Sequence, residues 1–126
     1  MKFDPEIARD ILLDVEELHQ APNQLVFSTF EKFVRANKYD LNINIYHCDK
    51  LEEAGYLNWR PKYASNKFYL GFINGLSYDG HQFLDSVRDP KIWRETKVRA
   101  NKLGVFTLNV LAQIALNVIS DRINGV

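Results

Sequence analysis

Apolar residues near the start of the chain recur at the spacing of one helix face, which predicts a first helix. Its buried side is expected to carry Ala8, Ile11, Leu12, Val15 and Leu18. Asp4 is a suitable cap for this helix. Pro5 fits the first turn, because proline lacks the backbone N–H that would be unpaired there. A short apolar run at Leu25–Phe27 then predicts a small strand.

Two further helices are predicted in the first half of the chain. Ser28 and Glu31 have the spacing of a capping box, so a short second helix is expected to follow. It would bury Phe30, Phe33 and Val34. Asp40 is a suitable cap for a third helix, which Gly55 ends because glycine tolerates positive φ. The apolar positions of that helix are Leu41, Ile45, Cys48, Leu51 and Ala54.

Alternating apolar and polar positions then predict a β-hairpin. Leu57 and Trp59 lie on one face of its first strand. The second strand is predicted to place Phe68, Leu70 and Phe72 on one face. The intervening RPKYASNK is polar and contains proline, so the hairpin is expected to have a wide tip.

The remainder of the chain is predicted to be helical. Ser77 can cap a helix that buries Phe83, Leu84 and Val87, and Asp89-Pro90 breaks it. A basic helix follows over about residues 91–102, and Gly104 interrupts the chain again. The last helix is expected over about residues 107–123.

This order of elements predicts an α+β, mainly helical chain. Helix, short strand, two helices and a hairpin is the order of a winged helix-turn-helix core, with the hairpin as the wing and additional C-terminal helices. We expect a winged-helix-like core over residues 1–88. Residues 89–126 would form a helical extension that packs on the core or on a second copy, within a single domain overall.

Two motifs carry a resemblance to a known family. They are YHCDKLEEAGYL at residues 46–57 and GLSYDGHQFLDSVRDPKIW at residues 75–93, followed by a short apolar C-terminal helix. Together they resemble domain-of-unknown-function family 2513, which occurs in bacteria and phages and is common in prophages. The most specific part is the second motif, with Gly80-His81, Phe83-Leu84-Asp85 and Trp93 in register. The resemblance implies a winged-helix-like fold and a mobile-element setting, and it implies no established activity.

Composition narrows the class of protein. A chain of 126 residues is enough for one domain, and a single cysteine excludes an internal disulfide framework. The N-terminus lacks an apolar signal core, so we expect a cytoplasmic protein in a bacterial cell. The net charge is zero, but residues 1–54 carry a balance of −5 and residues 55–126 a balance of +5. A DNA-binding field could therefore come only from the second half.

Nucleic-acid-binding candidates lie on the third helix, the wing and the basic segment 88–102. The candidates are Asn42, Asn44, Lys50, Arg60, Lys62, Tyr63, Lys67, Arg94 and Lys97. Asn and Lys suit base edges and phosphates, whereas Asp49, Glu52 and Glu53 on the same helix would repel phosphates. A solvated hairpin tip and a solvated helix face are the alternative readings.

The last helix carries the strongest signal for an interaction, because its apolar face is wider than a surface helix needs. The self-association candidates are Val110, Leu111, Ile114 and Val118. The helix is too short and too interrupted to span a bilayer, and its polar stripe is mainly amide, which does not suit a membrane surface. It is expected either to close the core or to pack against a second copy.

Catalytic and metal sites are not indicated. His47 and Cys48 are neighbours, and adjacent residues on a helix point apart, so Cys48 is predicted to be a small core residue. His81 and Asp85 are four residues apart and could face each other as an acid–base pair, although a structural role is favoured. We expect no cofactor, no metal and no small-molecule substrate.

The sequence therefore predicts a non-enzymatic, winged-helix-type binding protein of phage or prophage origin. Its charge balance and acidic third helix favour protein–protein contacts, as a modulator of a host system, together with homodimerisation. The alternative is a regulator that binds duplex DNA through the third helix, the wing and residues 88–102. A third alternative is an uncharacterised active site around His81 and Asp85 or around Cys48.

Overall fold

In residues 1–125, which the computed structural model describes, the chain forms five α-helices and one three-stranded antiparallel sheet. The helices are α1 (Pro5–Leu18), α2 (Leu41–Glu53), α3 (Tyr78–Val87), α4 (Pro90–Leu103) and α5 (Leu108–Ile123). The strands are β1 (Leu25–Phe27), β2 (Leu57–Ala64) and β3 (Lys67–Leu76). This confirms an α+β, mainly helical architecture. None of these helices combines the length and the apolar character needed to cross a bilayer.

The chain divides into two compact units within α3. Residues 1–81 form the first unit and residue 82 begins the second. The sequence placed a boundary after residue 88, at the break before α4, whereas α3 runs through the observed division. The first unit contains the whole sheet, α1 and α2, and the second contains α4 and α5.

Helix α1 forms as predicted. The Asp4 carboxylate accepts a hydrogen bond of 2.9 Å from the Glu6 N–H, and Pro5 occupies the first turn. Its buried face packs toward α2 and β3 and includes Ala8, Ile11, Leu12 and Val15. Two acidic residues, Asp10 and Asp14, are buried on the same helix, which the apolar pattern does not predict.

The predicted second helix after Ser28 is wrong. The chain forms bends and turns from Ser28 to Arg35 and then a single 3-10 turn over Ala36–Lys38. Phe30 and Phe33 are buried as expected, but Val34 is 69% exposed. The apolar residues therefore anchor an irregular segment, and no α-helix lies between β1 and α2 in this described part of the chain.

Asp14 explains why this segment needs no helix. Its carboxylate is fully buried and accepts hydrogen bonds from the N–H groups of Arg35 at 3.0 Å and Ala36 at 2.8 Å. The Arg35 guanidinium adds a contact of 2.8 Å to Asp14 and another of 2.8 Å to Glu17. These two carboxylates raise the pKa of Arg35 further above its usual range. Backbone donors that a helix would have used are thus satisfied by a side chain of α1.

The strands of the sheet are ordered β1-β3-β2, with β3 in the centre. The Trp59 ring of β2 lies over Gly71 of β3, where a Cβ atom would approach its ring carbon to 2.5 Å. Around it, an aromatic cluster contains Phe27, Phe30, Phe33 and Phe68. The Trp59 Nε1–H donates to Asp49 of α2 over 2.8 Å. Trp59 therefore joins the inner face of the sheet to α2.

The hairpin differs from its predicted form in two ways. Its tip is a tight two-residue turn, Ser65-Asn66, with φ angles of +52° and +65° that bring the strands together immediately. A bulge also shifts the register between Lys62 and Tyr63, so that Lys62 pairs with Leu70 and Tyr63 with Phe68. Phe68 and Leu70 consequently lie on opposite faces of the sheet, and their predicted common face is wrong.

The three C-terminal helices begin and end close to the predicted positions. Ser77 caps α3 through a bond of 3.0 Å from the Gly80 N–H, and Asp89 and Thr107 cap α4 and α5. Gly104 ends α4 with a φ of +72°. Helices α4 and α5 pack against each other, and their buried residues are Ile92, Trp93, Thr96, Ala100, Leu108, Leu111, Ile114, Ala115 and Val118.

We expect Asp14→Ala to lower the free energy of unfolding by about 3–5 kcal/mol, because it leaves two backbone N–H groups and a guanidinium without their buried acceptor. Glu17→Ala is the matched control. It removes the exposed contact of the same arginine and should cost no more than about 1 kcal/mol. Urea unfolding followed by circular dichroism measures both. Equal effects of the two substitutions would contradict the role assigned to Asp14.

Candidate nucleic-acid interface

Helix α2 corresponds to the predicted DNA-reading helix, and one of its candidate residues is not available. Asn44 is fully buried, and its side-chain amide donates 2.9 Å to the Ala36 carbonyl. The prediction that Asn44 contacts nucleic acid is therefore wrong. The sequence does not distinguish buried Asn44 from exposed Asn42, because each asparagine lies between apolar residues of the same helix.

His47 is also turned into the structure. Its Nε2 accepts from the Asp4 N–H at 2.9 Å, and its Nδ1 lies 2.8 Å from the Ile43 carbonyl oxygen, to which it donates in the neutral form. Of the remaining α2 candidates, Asn42 is exposed and Lys50 pairs with Glu53 at 3.3 Å. The helix therefore presents little unpaired positive charge.

The β2–β3 hairpin is the main basic surface of the first unit. Residues 57–76 contain Arg60, Lys62 and Lys67 and no carboxylate. All three cations are exposed, and none forms an ion pair within residues 1–125. Tyr63 is 55% exposed, and Tyr69 is 61% exposed at the bulge. The hairpin thus combines free positive charge with accessible aromatic rings.

Cross-strand pairing defines an outer sheet face, which points away from Trp59. Phe72 in the central strand pairs with Val26 on one side and Arg60 on the other, and Leu70 pairs with Lys62. Gln24, Asn58 and Asn74 lie beside Phe72 and Arg60 around a depression of about 130 Å³. Sequence analysis named Arg60 as a candidate. It placed Phe72 on one face with Phe68 and Leu70 and assigned that face no binding role, so it missed Phe72 and the amides around it. The strict alternation Asn58-Trp59-Arg60 was the available signal.

The basic segment 88–102 is partly neutralised. Arg99 contacts Asp121 at 2.9 Å and Glu95 at 3.2 Å, and Arg88 contacts Asp85 at 2.8 Å. Of the two candidates here, Arg94 is exposed on α4, and Lys97 lies 5.5 Å from the centre of the Trp93 ring. Glu95 and Asp85 lie at helical spacing from their arginines, whereas the contact of Arg99 with Asp121 was not visible in the sequence, because Asp121 is distant along the chain.

Helix α5 divides its broad apolar surface in two. Leu111, Ile114 and Val118 are buried and Val110 is partly buried, so these four self-association candidates lie mainly in the interior of the chain. A second stripe remains outside: Leu116 is 58% exposed and Ile123 is 78% exposed, with Ile119 partly exposed between them. On α5, this outer stripe is the apolar surface that is accessible to a second copy.

Cys48 is fully buried, which confirms its prediction as a core residue. Burial raises the pKa of its thiol well above the usual range, and the negative charge of Asp49 acts in the same direction. The reactive thiolate is thus disfavoured. Within the described residues, no group of three or more His, Cys, Asp or Glu side chains is arranged to hold a metal ion.

His81 and Asp85, the alternative acid–base pair, each contact a different residue. His81 Nδ1 lies 3.9 Å from Glu16, and the Asp85 carboxylate accepts from Arg88 at 2.8 Å. Gly80, beside them in the motif, has a structural role. A Cβ atom there would overlap the Tyr56 carbonyl oxygen, so glycine lets α3 approach the backbone that follows α2.

Native protein should react slowly with a thiol reagent such as Ellman's reagent at pH 8, because Cys48 is buried and protonated. Unfolding in urea should release a full equivalent of reactive thiol. Absorbance of the released product follows both states. Rapid native labelling, at the rate of a small-molecule thiol, would show that Cys48 is accessible and ionised.

The two stripes of α5 should respond differently to a charge. Val118→Asp places a carboxylate in the interior and should abolish cooperative thermal unfolding or lower the stability by several kcal/mol. Leu116→Asp, on the outer stripe, should change stability by no more than about 0.5 kcal/mol. Light scattering of the Leu116→Asp variant tests whether this stripe mediates self-association. A stable Val118→Asp variant would contradict the assignment.

The comparisons with known proteins agree with the motifs. The chain is 26% identical over 125 residues to an "Uncharacterized protein" of Haemophilus influenzae, covering 98% of this chain and 99% of the relative. No solved structure gives a significant match. The family described as "Hypothetical protein (DUF2513)" matches residues 2–106, which include the whole sheet and α1 to α4. The chain therefore belongs to the DUF2513 family.

Proposed function

We propose that the protein is a non-enzymatic nucleic-acid-binding protein and that the β2–β3 hairpin is its principal binding surface. One observation carries the proposal. Arg60, Lys62 and Lys67 extend from twenty residues that contain no carboxylate, beside the exposed rings of Tyr63 and Tyr69. Phosphate neutralisation supplies much of the affinity of nucleic-acid-binding proteins, and aromatic rings add stacking.

This proposal reverses the preference expressed from the sequence. A protein partner was favoured because the third helix is acidic and the net charge is zero. In the structure, α2 turns Asn44 and His47 inward, while the cations of the hairpin are exposed and unpaired among the described residues. The hairpin therefore offers a more favourable surface for a polyanion than the helix does.

A winged-helix-type classification is part of the proposal. The order α1, α2 and hairpin, with β1 paired to β3, supports it. The helix that normally precedes the reading helix is reduced here to the 3-10 turn at Ala36–Lys38. In this arrangement the wing, rather than α2, would make the main contacts with nucleic acid. Phage or prophage origin, and with it a location inside a bacterial host cell, is proposed on the family resemblance alone.

Self-association, or contact with a host protein that the chain modulates, is a second candidate function. It is favoured by the outer stripe of α5, where Leu116 and Ile123 expose large aliphatic side chains at helical spacing. A second copy could cover this stripe and would also double the number of basic hairpins. Dimerisation is therefore compatible with nucleic-acid binding and is not an alternative to it.

The double substitution Lys62→Glu with Lys67→Glu should abolish most of the binding to a labelled oligonucleotide at low salt. Each lost phosphate contact should also reduce the slope of log K against log salt concentration by about one. Fluorescence anisotropy across a salt series measures both quantities, with single-stranded and duplex oligonucleotides in parallel.

The matched control is Lys2→Glu with Lys32→Glu, which changes net charge equally at exposed positions outside the hairpin. It should preserve most of the affinity. An equal loss in the control would indicate non-specific attraction to the whole protein. Absence of binding to any oligonucleotide at low salt would overturn the proposal and favour a protein partner. Arg94→Glu tests separately whether α4 contributes.

A further inference from the structure

The outer sheet face exposes an aromatic ring where an open sheet normally carries polar side chains. Phe72 lies in the central strand, and its ring is only partly buried. On the inner side, ring contacts link Phe27 to Phe30, Phe33 and Trp59, and Trp59 to Phe68. Within residues 1–125, Phe72 has no such ring partner. One accessible ring at the centre of the face thus remains unstacked.

Amide side chains surround this ring. Gln24, Asn58 and Asn74 line the depression of about 130 Å³ together with Phe72 and Arg60. Each amide offers both a donor and an acceptor, and Gln24, Asn58 and Asn74 are exposed. The edges of unpaired nucleobases present the same combination of groups, and single-strand-binding proteins commonly read them beside a stacked aromatic ring.

Positive charge lies along one border of the same face. Arg60 pairs across the sheet with Phe72, and Lys62 pairs with Leu70, so both cations are on the β2 side of the ring. Residues 57–76 contain no acidic residue. The opposite border of the face is formed by Gln24 and Val26, which are uncharged. A sugar–phosphate backbone following β2 would meet Arg60 and Lys62 while its bases turn toward Phe72.

A duplex cannot use an accessible ring, amide side chains and a row of cations on one sheet face together. Its bases are stacked and paired, so their faces cannot cover a ring on a sheet surface, whereas the bases of a single strand can. We infer that the outer sheet face binds single-stranded nucleic acid, with one base stacked on Phe72, amide contacts from Asn58 and Asn74, and the backbone along Arg60 and Lys62. This inference rests on the proposed nucleic-acid function and specifies the form of the ligand.

Fluorescence anisotropy with labelled single strands of about 12 nucleotides tests the inference. The wild type should bind a single strand more tightly than the duplex of the same sequence. Phe72→Ser should weaken single-strand binding by about 5- to 150-fold, the range expected for loss of one stacked base. It should leave duplex binding at low salt nearly unchanged, because the cations remain. Phe72→Trp should retain or increase the affinity, which a purely structural role would not predict.

Tyr78→Ser is the matched control, because Tyr78 is 76% exposed on α3 and does not line the depression around Phe72. It should not alter binding. Circular dichroism verifies that each variant is folded, and Phe72→Leu serves as a second non-stacking variant if the serine variant is not. Parallel DNA and RNA strands show whether the 2′-hydroxyl contributes, and preference for either one supports the inference.

Failure of the inference is distinguishable from failure of the proposed function. Duplex binding equal to or tighter than single-strand binding would overturn the inference and leave nucleic-acid binding in place. Unchanged single-strand affinity in both Phe72→Ser and Phe72→Leu would do the same. Absence of binding to single strands and to duplexes would overturn both.

Discussion

The buried carboxylate of Asp14 is the constraint around which the first unit is organised. A carboxylate with no exposed surface requires several donors, and α1 supplies none of them at this position. The chain after β1 supplies three, from the Arg35 and Ala36 backbone and the Arg35 side chain. Meeting this requirement draws residues 28–38 onto α1 as an irregular segment. Asn44 then binds the Ala36 carbonyl, which aligns α2 against the same segment.

Trp59 divides the sheet into two faces with different roles. On the inner face, its ring fills the space left by Gly71, and its indole N–H binds Asp49 of α2. That face is therefore occupied by the core. The neighbouring residues Asn58 and Arg60 must point outward, because alternate residues of a strand lie on opposite faces. Core-facing and outward-facing side chains therefore alternate from one residue to the next along β2.

The pairing register between β2 and β3 could not be predicted from the pattern of apolar and polar residues. The hairpin itself was predictable from alternation, and the caps Asp4 and Ser77 marked their helices correctly. The bulge near Phe68 was not predictable, because it depends on which residues pair across the strands. Since a one-residue shift exchanges the faces, the sequence did not separate Phe68 on the inner face from Leu70 and Phe72 on the outer face. The candidate site was therefore located by its cations and by Tyr63, whereas Tyr69 and Phe72 were missed.

The amino-acid sequence by itself determined the mainly helical α+β class, the boundaries of most helices, the core position of Cys48 and the basic character of the hairpin. These depend on local periodicity, capping residues and the count of charges. Only the tertiary structure decided that Asn44 is buried, that Ser28 begins no helix, and that α5 keeps part of its apolar surface outside. Each of these depends on distant partners: Ala36 for Asn44, Asp14 for the segment after Ser28, and α4 for α5. A local pattern contains no information about which distant groups will satisfy a buried amide, a backbone N–H or an apolar face.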